Sequence, residues 1–285
     1  MTRARLALVC YSFYPAYQAR LLRTVRLFLA GQRESVVVMV RSAQAPSCLA
    51  ALVACGAQAI EIETDGSGWE FGAYQRGLAA LLGLGWAGAV TILNDTAGIH
   101  YALRRGEIAA LRQFALDPPT QSPDIMGPVQ AAPGLFKYRD LDLPAWVRSN
   151  AFTLSPAALQ VLQQRLFSAE DFEAPLITAQ GLELPQTLSP ALRQYVRVWL
   201  MASGRHGWRQ HAGRADPPLP LLRDKAGSIL LEMRLAARVL AAGGQLQNST
   251  PRAHPAWQFV CERAFYLRRR FGPWRSARRS DRHAA

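Results

Sequence analysis

The chain has 285 residues, half of them hydrophobic, and carries 33 basic against 20 acidic residues for a formal net charge of +13. That balance excludes wholesale disorder and leaves room for one large α/β domain with appendages. The four cysteines, Cys10, Cys48, Cys55 and Cys261, form no C-x-x-C pair, and His206 and His211 lack a matching carboxylate motif. They read as free thiols in a reducing compartment and not as a disulfide framework or zinc site.

In chain order, "RLALVCYSF" reads as a buried first strand, because its apolar run is too short for a membrane span and no small-residue cleavage site follows. Leu21, Leu22, Val25, Phe28 and Leu29 then recur at helical spacing over residues 16 to 31, up to Gly31. "SVVVMVRS" is a continuous β-branched run of the interior-strand kind. "CLAALVACG" gives a short helix closed by Gly56, and "AQAIEIE" gives the next strand. "FGAYQRGLAALLGLG" is helical and "AGAVTILN" is a further strand. The alternation predicts a largely parallel sheet flanked by helices. Residues 117 to 145 are rich in proline and glycine, with one short strand expected near "DIMGPVQ". "WVRSNAFTLS" reads as one strand, leading into a helix from Pro156 to about Phe167 with Ser155 as N-cap. After a polar, proline-rich break over residues 203 to 220, "AGSILLEMRLAARVLAAGG" reads as a helix with a glycine stop. No internal repeat is visible.

Two stretches draw chemical interest. "GSGWEFGAYQRGL" places Gly66, Ser67 and Gly68 between a strand and a helix, where backbone N–H groups can face an anion. Its spacing is one residue off the dinucleotide fingerprint, and it follows a third strand instead of the first. A turn with a helix-packing glycine explains it equally well. "ILNDTAG" ends a strand on Asn94-Asp95-Thr96. Ligands of open α/β sheets bind at such carboxyl ends, and a carboxylate there can hold a divalent cation against a diphosphate. The plain alternative is a turn-forming Asn-Asp pair.

Taken together, "GWEFGAYQRGL" and "ILNDTAG" resemble the nucleotide-sugar glycosyltransferases of GT-A fold, and most of all the rhamnan-synthesis glycosyltransferase-like proteins of bacterial polysaccharide operons. "WVRSNAFTLSPAAL" resembles that family's next element, and the likeness spans roughly residues 5 to 245. The resemblance implies a GT-A-like domain over 1–248, a nucleotide-sugar donor and a glycan or lipid-linked acceptor. It implies donor-side roles for Gly68, Glu70, Tyr74, Arg76, Asn94, Asp95 and Thr96, and acceptor-side places for Ser149 and Asn150. It makes Asp95 the holder of a divalent cation, Mg or Mn, although "NDT" has one carboxylate where the family's aspartate motif has two. It also makes Glu232 the acid that takes a proton from the acceptor hydroxyl, with Glu173 and Glu183 as rivals and a solvated helix residue as the plain alternative.

The tail at 249–285 interleaves aromatic residues, from Trp257 to Trp274, with Arg263, Arg268, Arg269 and Arg270. It suits either an anionic membrane surface or packing on the domain. A cytoplasmic protein, peripheral on the inner membrane face, is therefore expected. A non-catalytic accessory protein of the same fold remains the alternative that the single carboxylate raises. A nucleic-acid binder is disfavoured, because the charge gathers in the tail with no recognisable binding module.

Overall fold

The computed structural model describes residues 6–32, 34–99, 103–168, 172–201 and 217–250. The basic tail from Pro251, with Cys261, and the pair His206 and His211 lie outside the described residues.

The first half alternates as the sequence predicts. β1 (Leu6–Ser12), α1 (Pro15–Leu29), β2 (Ser35–Ser42), α2 (Leu49–Val53), β3 (Gln58–Thr64), α3 (Trp69–Gly83) and β4 (Val90–Asn94) follow one another, and then α4 (Arg105–Leu116). Next come the short strands β5 (Ile125–Gly127), β6 (Val129–Ala131), β7 (Lys137–Tyr138), β8 (Leu141–Asp142) and β9 (Ala145–Val147). β10 (Ala151–Leu154), α5 (Pro156–Val161), β11 (Leu176–Thr178), β12 (Gly181–Glu183), α6 (Pro190–Met201), α7 (Leu219–Ala241) and β13 (Leu246–Asn248) complete the described chain.

Seven strands form one sheet in the order β13-β5-β10-β4-β1-β2-β3. All neighbours are parallel except β10, which runs antiparallel to both β4 and β5. The fold is thus α/β, with a mostly parallel sheet between two helical layers. Both faces of β1 are buried, as a covered interior strand requires. Leu6, Leu8 and Cys10 join α1 residues in one core, while Ala7, Val9 and Tyr11 join α3 and α7 in the other.

Two expected elements differ. "WVRSNAFTLS" is not one strand: it breaks at residues 148–150 between β9 and β10, because β9 pairs with β6 outside the main sheet while β10 enters it. The helix expected to reach Phe167 stops at Val161, and Gln163 and Gln164 adopt left-handed φ of 53° and 57°. Ser155 does cap α5, its hydroxyl accepting from the Ala158 N–H at 3.1 Å.

α3 and α7 meet where the Trp69 ring lies over Gly227, and a Cβ at Gly227 would meet that ring at 2.5 Å. Overpacking of this kind costs about 1–3 kcal/mol, more than the helix propensity gained from alanine. Gly227→Ala is therefore expected to lower the urea midpoint. Gly83→Ala, where nothing lies within 4 Å, should leave it unchanged or raise it.

Candidate active site

The carboxyl edge of the parallel strands bears a cleft enclosed by β4, the 148–150 segment, α6, α7 and the start of α3. It measures about 560 Å³ counted out to its open mouth. The reversal of β10 is what makes it: the residues just before β10 arrive beside the end of β4, and the Asn94 N–H donates to the Asn150 carbonyl at 3.1 Å.

Ser149 is the hub. Its N–H donates to Glu232 Oε2 at 2.7 Å, its hydroxyl to Glu70 Oε1 at 2.7 Å, and its carbonyl accepts from the Tyr74 hydroxyl at 2.9 Å. Asn94 closes the ring, with Nδ2 donating to Glu70 Oε2 at 3.1 Å and to the Tyr74 hydroxyl at 2.9 Å. Its Oδ1 accepts from the Thr96 N–H at 3.1 Å and hydroxyl at 2.6 Å. Both ends of the Asn94 amide are thus satisfied and its orientation is fixed.

The titratable groups reflect burial. Burial pushes the Glu232 carboxyl up to about 7; the Ser149 hydrogen bonds and the Lys225 charge pull the other way, and the Glu70 charge adds to the rise. Burial also raises Asp95 to about 7, against hydrogen bonds from Tyr14 and Phe13. Tyr74, 0% exposed, is likewise pushed well up by burial.

The structure brings Glu70, Asn94, Thr96, Ser149, Asn150 and Glu232 to the cleft wall. Tyr74 sits behind it, holding Ser149 and Asn94 in place. Gly68 stands elsewhere: it is the left-handed N-cap of α3 at φ 73°, and the Phe167 ring covers it so closely that a Cβ would meet the ring at 2.6 Å. Arg76 is turned back onto the turn before α3, bonded to Asp65 Oδ1 at 2.7 Å, to Ser67 and to Thr64. Glu173 accepts from Thr187 and Glu183 from Thr178, both away from the cleft lining.

Asp95 faces the other way. Its Oδ2 accepts the N–H groups of Phe13 at 2.7 Å and Tyr14 at 2.6 Å, and the side chain is 1% exposed. It thereby fixes the loop after β1, where Phe13 and Tyr14 expose aromatic rings. Among the described residues no three His, Cys, Asp or Glu side chains gather as a metal site. Asp95, the one carboxylate of this strand end, is buried and does not line the cleft. The residue expected to hold a divalent cation is here the anchor of the loop after β1.

Sequence reasoning missed Lys225, Gln130, Trp146, Arg148, Tyr195 and Trp199, which also line the cleft. Lys225 carried a usable signal, since it stands seven residues before Glu232 and so on the same face of the helix. The others come from short or unpredicted elements. Among the described residues no helix is long and apolar enough to cross a membrane.

No protein-family model matches the chain, and no curated protein matches it. Among solved structures it is similar to the mannosyltransferase PcManGT from Pyrobaculum calidifontis, in complex with GDP-Man and Mn2+. That likeness has 16% identity and a TM-score of 0.37 over 97% of this chain and 83% of that one. It is also similar to glucosyl-3-phosphoglycerate synthase from Mycobacterium tuberculosis in complex with phosphoglyceric acid, at 11% identity and TM-score 0.36 over 90% and 75%. A third likeness is to 4-diphosphocytidyl-2C-methyl-D-erythritol synthase, at 14% identity and TM-score 0.37 over 57% of this chain and 80% of that one.

Two stability predictions follow from the geometry. Asp95→Ala removes the acceptor of two backbone N–H groups and is expected to cost about 1–3 kcal/mol in urea melts. Burial raises the folded-state pKa of Glu232 to about 7, above its ordinary value of 4.5, so the folded protein binds that proton more tightly than the unfolded chain. Its stabilising contribution is full below the unfolded value and lost as the pH rises through the folded one. Glu232→Gln should therefore gain denaturant resistance relative to wild type at about pH 8, with the gain vanishing at about pH 4.

Proposed function

We propose that this protein is a glycosyltransferase that moves a sugar from a nucleotide-diphosphate donor onto a hydroxyl of a glycan or lipid-linked acceptor. The observation that carries the reading is Glu232: a carboxyl raised to about 7, oriented by the Ser149 N–H and opening on a cleft at the carboxyl edge of a parallel sheet. A base poised near neutrality is what proton removal from a sugar hydroxyl calls for.

The chemistry is a single displacement. Ionised Glu232 takes the acceptor proton as the acceptor oxygen bonds to the anomeric carbon. The bond from that carbon to the diphosphate breaks, and its electron pair leaves on the phosphate oxygen. Glu70, held by Ser149 and Asn94, offers carboxylate oxygens to donor-sugar hydroxyls. Phe13 and Tyr14, 44% and 42% exposed, offer ring faces to the nucleobase on the loop that Asp95 fixes. The resemblance of "GWEFGAYQRGL" and "ILNDTAG" supports a place in bacterial surface polysaccharide synthesis, and the basic aromatic tail supports peripheral attachment to the inner membrane face.

Glu232→Gln is expected to lower kcat about 10²- to 10⁴-fold without loss of fold. In wild type, kcat/KM should rise with pH through about 7 as Glu232 ionises, and the variant should lose that limb. Turnover of a nucleotide-sugar panel, with and without Mn²⁺ or Mg²⁺, is the measurement. No turnover and no donor binding anywhere in the panel would replace this reading with the non-catalytic accessory one.

A further inference from the structure

Lys225, Ile229, Glu232 and Met233 all line the cleft and fall at i, i+4, i+7 and i+8 on α7. At 1.5 Å per residue, Lys225 stands about 10 Å from Glu232 along the helix axis, two turns away on one face. Its positive charge lowers the pKa of both Tyr14 and Glu232, so both lie within its electrostatic reach. The ion pairs of the described residues do not include it. Among the described residues, Arg76 pairs with Asp65 at 2.7 Å and Arg148, on the cleft wall, donates to Gln130 at 3.4 Å.

A second observation points to a ligand at the same place. Asn150 is 3% exposed and lines the cleft, and among the described residues neither its Nδ2 nor its Oδ1 has a hydrogen-bond partner. A buried polar group left unpaired costs about 1–3 kcal/mol. A ligand group that donates to Oδ1 and accepts from Nδ2 would remove that cost.

We propose that Lys225 is the protein's cationic contact for the donor diphosphate, and that Asn150 bonds the same ligand beside it. This rests on the reading of the cleft as a nucleotide-sugar site and assigns the charge partner within it. The negative charge that develops on the departing phosphate meets an ammonium held in a partly desolvated cleft, where such an interaction is stronger than in water. The separation of Lys225 from Glu232 leaves room for the acceptor hydroxyl and the anomeric carbon beside Glu232, and for the phosphate bonded to that carbon nearer Lys225.

The chain has two lysines, Lys137 and Lys225, and Lys137 is an exposed partner of Asp142 at 3.6 Å. Lysine labelling of the full chain with an amine-reactive anhydride, read by peptide mass, therefore carries its own control. In EDTA, so that no cation bridges, UDP or GDP is expected to protect Lys225 and spare Lys137, whereas uridine or guanosine should protect neither. Lys225→Gln should weaken UDP or GDP binding about 10- to 100-fold, the range of a charge-assisted hydrogen bond. Nucleoside affinity should stay unchanged, and Lys225→Arg should restore part of the loss. Equal protection by nucleoside and nucleotide, or equal nucleotide affinity in wild type and Lys225→Gln, would overturn the assignment while leaving the transferase reading in place. Protection by glycerol phosphate but not by UDP or GDP would move the phosphate from donor to acceptor and overturn the donor assignment. Wild type that binds no nucleoside diphosphate would overturn the transferase reading itself, and this inference with it.

Discussion

Side chains of a strand alternate between its two faces, and at the end of β4 that alternation divides the work of the site. Val90, Ile92 and Asn94 point to the layer of α3 and α7, where Val90 and Ile92 enter the larger core. Leu93 enters the opposite core, and Asp95 follows its parity. Asn94 thus reaches Glu70 and Tyr74 across the cleft wall, whereas Asp95 reaches the backbone of Phe13 and Tyr14 on the α1 side. Two adjacent polar residues hold two different segments to one strand end.

From that split the rest of the site follows. Asn94 and Tyr74 fix Ser149, and Ser149 sets the positions of two carboxylates, Glu70 and Glu232, that would otherwise repel. A serine can serve both at once because its N–H and its hydroxyl are separate donors. The arrangement costs the folded state something. Glu232 is buried enough to lose part of its ionisation at neutral pH, and the hydrogen bonds from Ser149 offset the effect only in part. A carboxylate placed for packing alone would gain nothing from such a position; one placed to take a proton would gain reactivity near neutrality.

How much of this the sequence disclosed depends on element length. β1, β2 and β4 are runs of five to eight residues of mostly apolar character, β3 alternates Ile with Glu, and α1 and α3 carry a clear helical period, so the alternating fold was legible. β7 and β8 have two residues each, too few for any period, and β11, β12 and β13 have three. The break at 148–150 was hidden because Trp146, Val147, Ala151 and Phe152 flank it with the composition of a single strand. That break is also where the cleft gains Ser149 and Asn150, whose geometry a single-strand reading hides. Glu70 and Glu232 were legible as helix residues beside suggestive motifs. Gly68 and Arg76 were nominated by the same motif, yet tertiary packing by Phe167 and the pull of Asp65 gave them structural partners.

The segments that meet at the cleft are far apart in sequence, and the two helices that bear its carboxylates are locked together. α3 is anchored by Trp69 on Gly227 of α7, so the helix bearing Glu70 and the helix bearing Glu232 are held by one close contact. α7 runs unbroken for 23 residues, and Lys225, Ile229, Glu232 and Met233 keep their spacing through helix geometry alone. One inserted residue between Lys225 and Glu232 would rotate one of them about 100° away from the cleft. The distance between a positive group and a proton acceptor is therefore built into a single helix, whereas the aromatic loop opposite depends on one carboxylate, Asp95. The α7 side of the cleft is thus set by one helix, while the position of the loop after β1 depends on two hydrogen bonds to Asp95.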